Sequence, residues 1–430
     1  MGGAAQDSGA VSMMGNGGSK KADGTGRVDL AVRRAAALEV LLAVLASCVI
    51  CTGCAPDCTW LRFSEGRAAY PCSDGSRLED VWQRTACESL QSRFTLAAAG
   101  DVIFDRGVRA VCERRGADWP LSAVAPIFSS ADAGFVNLET SLAVGGRPIP
   151  GKGIWFRSDP KFAQELAKAG VNVVTVANNH VLDYDEAAFA ETLAALADSS
   201  IAVCGGGFDL DEARSPAIVS AGGVRIAFLG YSELADIFWT YSYPRSFRAG
   251  LDSPGVAPMD EKMIVQDIRK ARAVADHVVV SYHWGEEYAR MPNTRQMQIA
   301  HMSIDAGASL VLGHHPHVLQ PVEVYNGGII FYSLGNFVFD QTKPDTVESM
   351  IACVTFSPSK IVSAQILPMR IERCRPRPLV GWAARTVLDR LIRDSAWLGA
   401  VVAPTGGRGL ILIPGTSVPV ETEGVGEFLP

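Results

Sequence analysis

Residues 278–288 read Val278-Val279-Val280-Ser281-Tyr282-His283-Trp284-Gly285-Glu286-Glu287-Tyr288, a short apolar run that ends abruptly in an imidazole and two carboxylates. A β-branched run of this length bounded by polar residues is the pattern of a buried strand. In open α/β sheets, ligand sites assemble at the carboxyl ends of such strands. The same arrangement recurs on both sides. Strand 94–99 leads into Gly100-Asp101 and then Arg106, and Phe135-Val136 leads into Asn137-Leu138-Glu139. Strand 173–176 ends in Ala177-Asn178-Asn179-His180, with Asp183 three residues on. Strand 310–312 delivers Gly313-His314-His315-Pro316-His317, and strand 329–333 delivers Ser333-Leu334-Gly335-Asn336-Phe337. A further strand is expected at 224–230. Amphipathic segments lie between these runs. Asp159-Pro160 opens a helix that Gly170 closes. Further helices are expected at 185–198, with Phe189, Leu193 and Leu196 on one face, and near 261–275 and 294–306. After Val380 come one more helical pattern and a strand at 409–413. Strands alternating with helices predict an α/β fold, and no internal repeat is visible.

A lone His or Asp after a strand is usually a cap or a satisfied polar group, so the serial order carries the signal. Of the seven histidines, His180, His283, His314, His315 and His317 fall in such clusters. Imidazoles mixed with carboxylates suit Zn²⁺, Mn²⁺ or Fe better than a thiolate-selected metal. Two metals sharing a carboxylate would activate a water and clamp a phosphoryl group. His277, which opens a strand, and His301, within an amphipathic helix, read as structural. Trp284 and Tyr288 read as wall residues, and Gly205-Gly206-Gly207, lacking the Lys-Ser/Thr of a phosphate loop, as a turn. Asp183 and Asp185 divide evenly between a functional role and a place at a helix start.

The chain has 430 residues, 48% hydrophobic and 20% charged, enough for a sizeable core. A net charge of −7 offers no global positive field, which argues against nucleic acid as a partner. Seven of the ten cysteines lie between Cys48 and Cys112. Cys48, Cys51, Cys54 and Cys58 match the spacing of a ferredoxin loop, but no Pro follows Cys58 and no second set exists. The favoured reading is extracytoplasmic disulfides among Cys58, Cys72, Cys87 and Cys112. The composition of residues 1–34 predicts a disordered leader. Arg33-Arg34 then precede an apolar stretch at 35–54 that reads as a signal peptide or membrane anchor with the remainder exported. Within it, Leu45-Ala46-Ser47-Cys48 is similar to a lipoprotein processing box. A Cys-rich linker at 55–92, a main domain at 93–415 and a tail at 416–430 complete the organisation.

The Asn-Asn-His, His-Trp-Gly-x-Glu-Tyr, Gly-His-His-Pro-His and Ser-Leu-Gly-Asn-Phe motifs, in this order, closely resemble the bacterial capsule-synthesis family called CapA, also described as poly-γ-glutamate synthesis proteins. The resemblance covers about residues 94–340 and is expected to continue through the segment up to Ile413. It implies a metallophosphoesterase-like sandwich of β-sheets flanked by helices, one or two divalent transition metal ions, and action outside the cytoplasm on an anionic polymer or phosphoester. Membrane polymer-synthase subunits are an implied partner. By the same resemblance Asp101 is the first metal carboxylate, Glu139 the bridging one and Asn179 an amide ligand, with His283, His315 and His317 completing the shell. His180 would be the acid that protonates a leaving oxygen, oriented by Asp183. Arg106 and Arg157 would clamp an anion, with His314, either ligand or supporting residue, and Asn336 on the substrate side. Two positions depart from the pattern. Ile103 stands where the broader phosphoesterases have His, which puts one metal site in doubt, and Asp185 stands where the family usually has Gly. A non-catalytic partner of a membrane polymerase, holding an anionic chain in the same pocket, is the alternative reading.

Overall fold

The strand Phe94–Val102 sends Phe94, Leu96 and Ala98 into one core and Ala97 and Ala99 into another, because successive side chains of a strand leave on opposite faces. It therefore belongs in the middle of a sheet covered on both sides. The computed structural model, which describes residues 92–414 apart from Pro244, places it there.

The first sheet has ten strands. Along it lie Val402–Thr405, Arg408–Ile411, Ile361–Glu372, Glu348–Phe356, Phe94–Val102, Ala133–Leu138, Val173–Thr175 and Ala202–Cys204. Asn336–Val338 joins the end of Phe94–Val102, and Arg375–Pro378 pairs with Ile361–Glu372. The second sheet runs Val322–Tyr325, Gly328–Phe331, Leu310–His314, His277–His283, Val224–Ser232 and Ala217–Ala221. Within each sheet the strands that carry the polar clusters are parallel to one another, so their carboxyl ends lie at one end of each sheet; antiparallel strands flank them at Phe94–Val102 and Gly328–Phe331.

The two sheets pack face to face through a shared apolar layer in which Phe135 of the first stacks on Phe228 of the second, ring centroids 5.7 Å apart. Helices Arg106–Arg115, Phe162–Lys168 and Asp185–Asp198 cover the outer face of the first sheet. Glu261–Arg272 and Thr294–Ala306 cover that of the second. Gly381–Trp397 contributes Val387, Leu388 and Leu391 to the layer between the sheets. The expected α/β sandwich of sheets flanked by helices is the observed one.

Local chemistry explains the boundaries. Thr294–Ala306, expected at these bounds, opens on a capping box between Asn293 and Gln296 and closes on Gly307 in the left-handed region. Glu261–Arg272 starts on Asp260, whose carboxylate accepts from Met263 N–H, and stops three residues before the expected end. Asp159 accepts from Lys161 N–H, but the regular helix begins only at Phe162. Gly206–Gly207, expected as a turn, is a short strand paired with Gly255–Val256. Cys112 is a buried free thiol, as are Cys204, Cys353 and Cys374. The other cysteines of the expected disulfide set, and the stretch at 35–54, lie outside the described residues. Among those described, no helix is long and apolar enough to cross a membrane.

The Phe135/Phe228 contact joins the two sheets at the centre of the sandwich. Phe228→Ala should leave a cavity there and cost about 3–5 kcal/mol, read as a lower denaturant midpoint in equilibrium unfolding. A loss below about 1 kcal/mol would show that the layer repacks.

Candidate metal centre

Strand register brings the clusters together. Asp101 lies beside Asn137 on one neighbouring strand and Asn336 on the other, and His283 lies beside His314 across the second sheet. Two close approaches make this possible. A Cβ on Gly100 would stand 1.8 Å from Gly335 O, and one on Gly313 would stand 1.9 Å from Tyr332 O. After Gly313 the chain turns sharply, with His315 at φ 95° and His317 at φ 58°. Non-glycine residues in this region cost about 1–3 kcal/mol each and persist where surrounding structure imposes them. Here the turn aims both rings back over the strand ends.

The result is a buried cage. Ligand-capable atoms of Asp101, Glu139 and His283 lie within 4.8 Å of one another, and so do those of Glu139, His315 and His317. Glu139 belongs to both groups. Its carboxylate is fully buried, and neither oxygen has a hydrogen-bond partner. The nearest cationic-capable atoms are His283 Nε2 at 3.6 Å and His317 Nε2 at 4.0 Å from Oε1. Asn179 Oδ1 is 2.9 Å from His283 Nε2, at the edge of the same space. His315 Nδ1 is buried and unpartnered. Buried polar atoms in native proteins are nearly always satisfied, and an orphaned carboxylate facing three imidazoles fits one or two divalent cations. Asp101, Glu139, Asn179, His283, His315 and His317 would hold them.

The rings are pre-set for that task. His317 Nδ1 lies 2.9 Å from Asn336 Oδ1 and 3.2 Å from Asp101 Oδ2, which places the N–H on Nδ1 and leaves Nε2 toward Glu139. Asn336 is fully buried, and its amide also donates to Gln341 Oε1 and Thr346 O, so it anchors His317 from behind. Asn137 performs the same office for Asp101, donating at 2.8 Å, and it accepts from Asn178. His314 is buried 3.3 Å from Asp101 Oδ1 without the alignment of a hydrogen bond. Ile103 is fully buried in the apolar layer under the helices, so the position where phosphoesterases carry His has become core.

Charge coupling follows from the crowding. Burial alone would raise Asp101, but His314 and His317 beside it hold its carboxyl well below the usual range. Burial, with Asp101 as a close second charge, pushes Glu139 well up. Against burial, Glu139 and Asp101 lift His317 to about 9. Burial and the neighbouring His317 push His315 down to about 3.

Beside the cage stands a second constellation. His180 Nδ1 lies 2.7 Å from Asp183 Oδ2, and the ring stacks on Phe156, centroids 4.1 Å apart. Asp183 also accepts from Phe156 N–H at 2.6 Å and from Lys152. It therefore orients His180 and does not cap the following helix. Lys152, a residue the sequence reading passed over, is buried with its ammonium donating to Asn179 O and Asp183, under the rings of Trp239 and Phe247. Burial and then the Lys152 charge hold His180 well below its ordinary value. The neutral ring donates from Nδ1 to Asp183 and keeps a lone pair on Nε2. Asp185 takes φ 68°, which accounts for the family's Gly at this position. It makes no cap, and its carboxylate accepts from Tyr243 OH at 2.8 Å.

The remaining expected residues are more peripheral. Arg106 is paired with Asp340 and lies over the Phe156 ring. Arg157 donates to the carbonyls of Val144 and Gly145 and lies over Tyr184. Neither guanidinium contacts the cage residues. His277 bridges Ser309 and Ser357 O, and His301 pairs with Glu323, both as structural residues. Trp284 is a buried wall residue bonded to Tyr332 O.

Residues 95–341 match the family model described as bacterial capsule synthesis protein PGA_cap. This chain belongs to that family. The PGA biosynthesis protein CapA of Bacillus subtilis (strain 168) is 34% identical over 304 residues, spanning 69% of this chain and 78% of that protein. The capsule biosynthesis protein CapA of Bacillus anthracis is 31% identical, spanning 72% and 75%. A probable polyglutamine synthesis accessory protein of Mycobacterium tuberculosis (strain ATCC 25618 / H37Rv) is 31% identical, spanning 60% and 71%. The matched segment holds every residue of the cage and the His180/Asp183 pair.

Because His317 is lifted to about 9 and burial beside Asp101 pushes Glu139 upward as well, a cation binding in the cage competes with protons. Metal affinity should rise about tenfold per pH unit or more between pH 6.5 and 8.5, with proton release seen in calorimetric titrations run in buffers of different ionisation enthalpy. His315→Ala should abolish uptake of Mn, Zn or Fe by elemental analysis. Affinity independent of pH would count against ligation by these groups.

Proposed function

We propose that this chain is a metal-dependent phosphoester hydrolase or phosphoryl transferase that acts outside the cytoplasm in assembly of an anionic capsule polymer of the poly-γ-glutamate type. One observation carries the reading: the orphaned carboxylate of Glu139 sits among imidazoles, an amide and a second carboxylate, with the His180/Asp183 pair alongside. A binding pocket for a polymer needs cations and hydrogen-bond donors. It does not need a buried acceptor shared between two ligand groups, nor an oriented imidazole at its edge.

Bound there, a divalent cation would supply Lewis-acid polarisation of a phosphoryl oxygen and activation of water. The protein's own residues handle the protons. His180, neutral at rest, takes up a solvent proton at Nε2 as the anionic substrate binds, while the attacking water, in line on the far side of the phosphorus, releases its own proton to solvent. It then passes its proton to the leaving oxygen as the old bond breaks. Asp183 and Lys152 hold the ring in place through both transfers. The family and the names of its relatives support capsule assembly as the process and the envelope as its place, and the accessory protein among them supports a polymer synthase as the partner. An exported protein agrees with the apolar stretch at 35–54.

Ile103 favours a second reading. Replacing a ligand position by core weakens one metal site, and a non-catalytic partner of the polymerase would tolerate that loss. Turnover separates the two. His180→Ala should retain bound metal while lowering hydrolysis of phosphoesters with poor leaving groups by about 10²–10⁴-fold, and good leaving groups should suffer less. A wild-type protein that holds metal yet turns over no phosphomonoester, phosphodiester or γ-glutamyl polymer would favour the binding partner.

A further inference from the structure

The helix Gly381–Trp397 buries one face in the sandwich and presents the other to solvent, and that outer face is unusually apolar at its ends. Trp382 is 80% exposed and Trp397 69%. Exposed Val380 precedes the first and exposed Val401 follows the second. Fifteen residues at 100° each put the two indoles about 60° apart around the axis and about 22 Å apart along it. They therefore stand on one side as two separate anchors. Arg385 and Arg393 are exposed on the same side. Arg385 is paired with Asp389, and Arg393 has no carboxylate partner within 4 Å among the described residues.

The surroundings extend the pattern. The segment that carries the helix, residues 357–414, contains nine basic and three acidic residues, net +6, in a chain whose net charge is −7; of these cations Arg390 is paired with Glu348, Arg377 with Glu372, and Arg375 lies over Trp119. A cleft of about 330 Å³ opens beside the helix start. Leu367, Leu379, Val380 and Leu388 line it, with Arg385 and Arg408 among its walls. None of these residues belongs to the metal centre.

We propose that this face docks on the surface of an anionic phospholipid bilayer. Widely spaced Trp side chains with cations between them match the chemistry of the bilayer interface, where indoles lodge at the headgroup level and Arg meets lipid phosphate. A protein interface instead gathers its aromatic anchors near the centre of the patch. A soluble polyanion would use the charge and have no use for the exposed indoles and valines. The bilayer is the occupant that accounts for both features. The proposal is independent of the metal chemistry and gives the globular domain its own contact with a membrane.

The test uses the full chain and vesicles of phosphatidylcholine with or without phosphatidylglycerol. Wild-type protein should sediment with the anionic vesicles and about tenfold less with neutral ones, and added salt should release it. Arg385→Glu with Arg393→Glu should lower the partition coefficient at least tenfold, and so should Trp382→Ser with Trp397→Ser, both leaving metal content unchanged. Because the apolar stretch at 35–54 is common to all variants, a second measurement isolates the indoles. Brominated acyl chains should quench wild-type tryptophan emission more than that of the double Trp variant. Equal partition and equal quenching of wild type and the Trp variant would overturn the proposal. So would equal binding to neutral vesicles, absence of wild-type binding, or complete release by soluble polyglutamate at constant ionic strength.

Discussion

A carboxylate taken out of water with no hydrogen bond to either oxygen is among the most expensive groups a folded chain can contain, on the order of several kcal/mol even after relaxation. Glu139 is in that condition, fully buried with both oxygens unpartnered. Much of the surrounding geometry serves to hold it there. Asp101 and Asn137 lie on adjacent strands, His283 arrives from the opposing sheet, and His315 and His317 are turned inward by a backbone in the left-handed region. A fold that tolerates these costs at the ends of its strands has a site prepared for cations.

The sandwich makes such a site by laying two parallel arrangements face to face with their carboxyl edges together. Each sheet alone would present a row of polar residues at its carboxyl edge. Packed face to face through Phe135 and Phe228, the rows meet, and carboxylates from one face imidazoles from the other. The rings need second partners to keep one tautomer, which is the role of Asn336 behind His317 and of Asp183 behind His180. Ile103 shows the opposite outcome at one position. Its side chain joined the core under the helices, and the cage was left with one imidazole fewer than the wider phosphoesterase pattern.

Asp183 and Lys152 illustrate how a buried ion pair serves geometry more than stability. Removing both charges from water consumes most of their mutual attraction. Lys152 nonetheless reaches from the loop after residue 147 to the carbonyl of Asn179 and the carboxylate of Asp183, under a roof of Trp239 and Phe247. The turn that carries both a candidate ligand and the candidate proton relay is thereby tied to two distant loops.

Much of this was legible in the residues themselves. Helices 185–198 and 294–306 were readable because apolar spacing is a local signal, although the first has no side-chain cap, and the cage residues stood out because they lie in polar clusters just after apolar runs. What proximity in sequence could not show was how the cage residues divide into two groups sharing Glu139, or that Asn336 supports His317 from behind. Nor could it show Lys152, whose partners lie at least 27 positions away and whose only local mark is a place between two glycines. Asp185 looked like a cap because caps are read from composition, whereas its positive φ and its bond to Tyr243 are set by packing. Sequence determined the elements and the chemistry at their ends. The pairing of the two sheets alone decided which of those groups would share one buried space, because that depends on register and crossing and not on order along the chain.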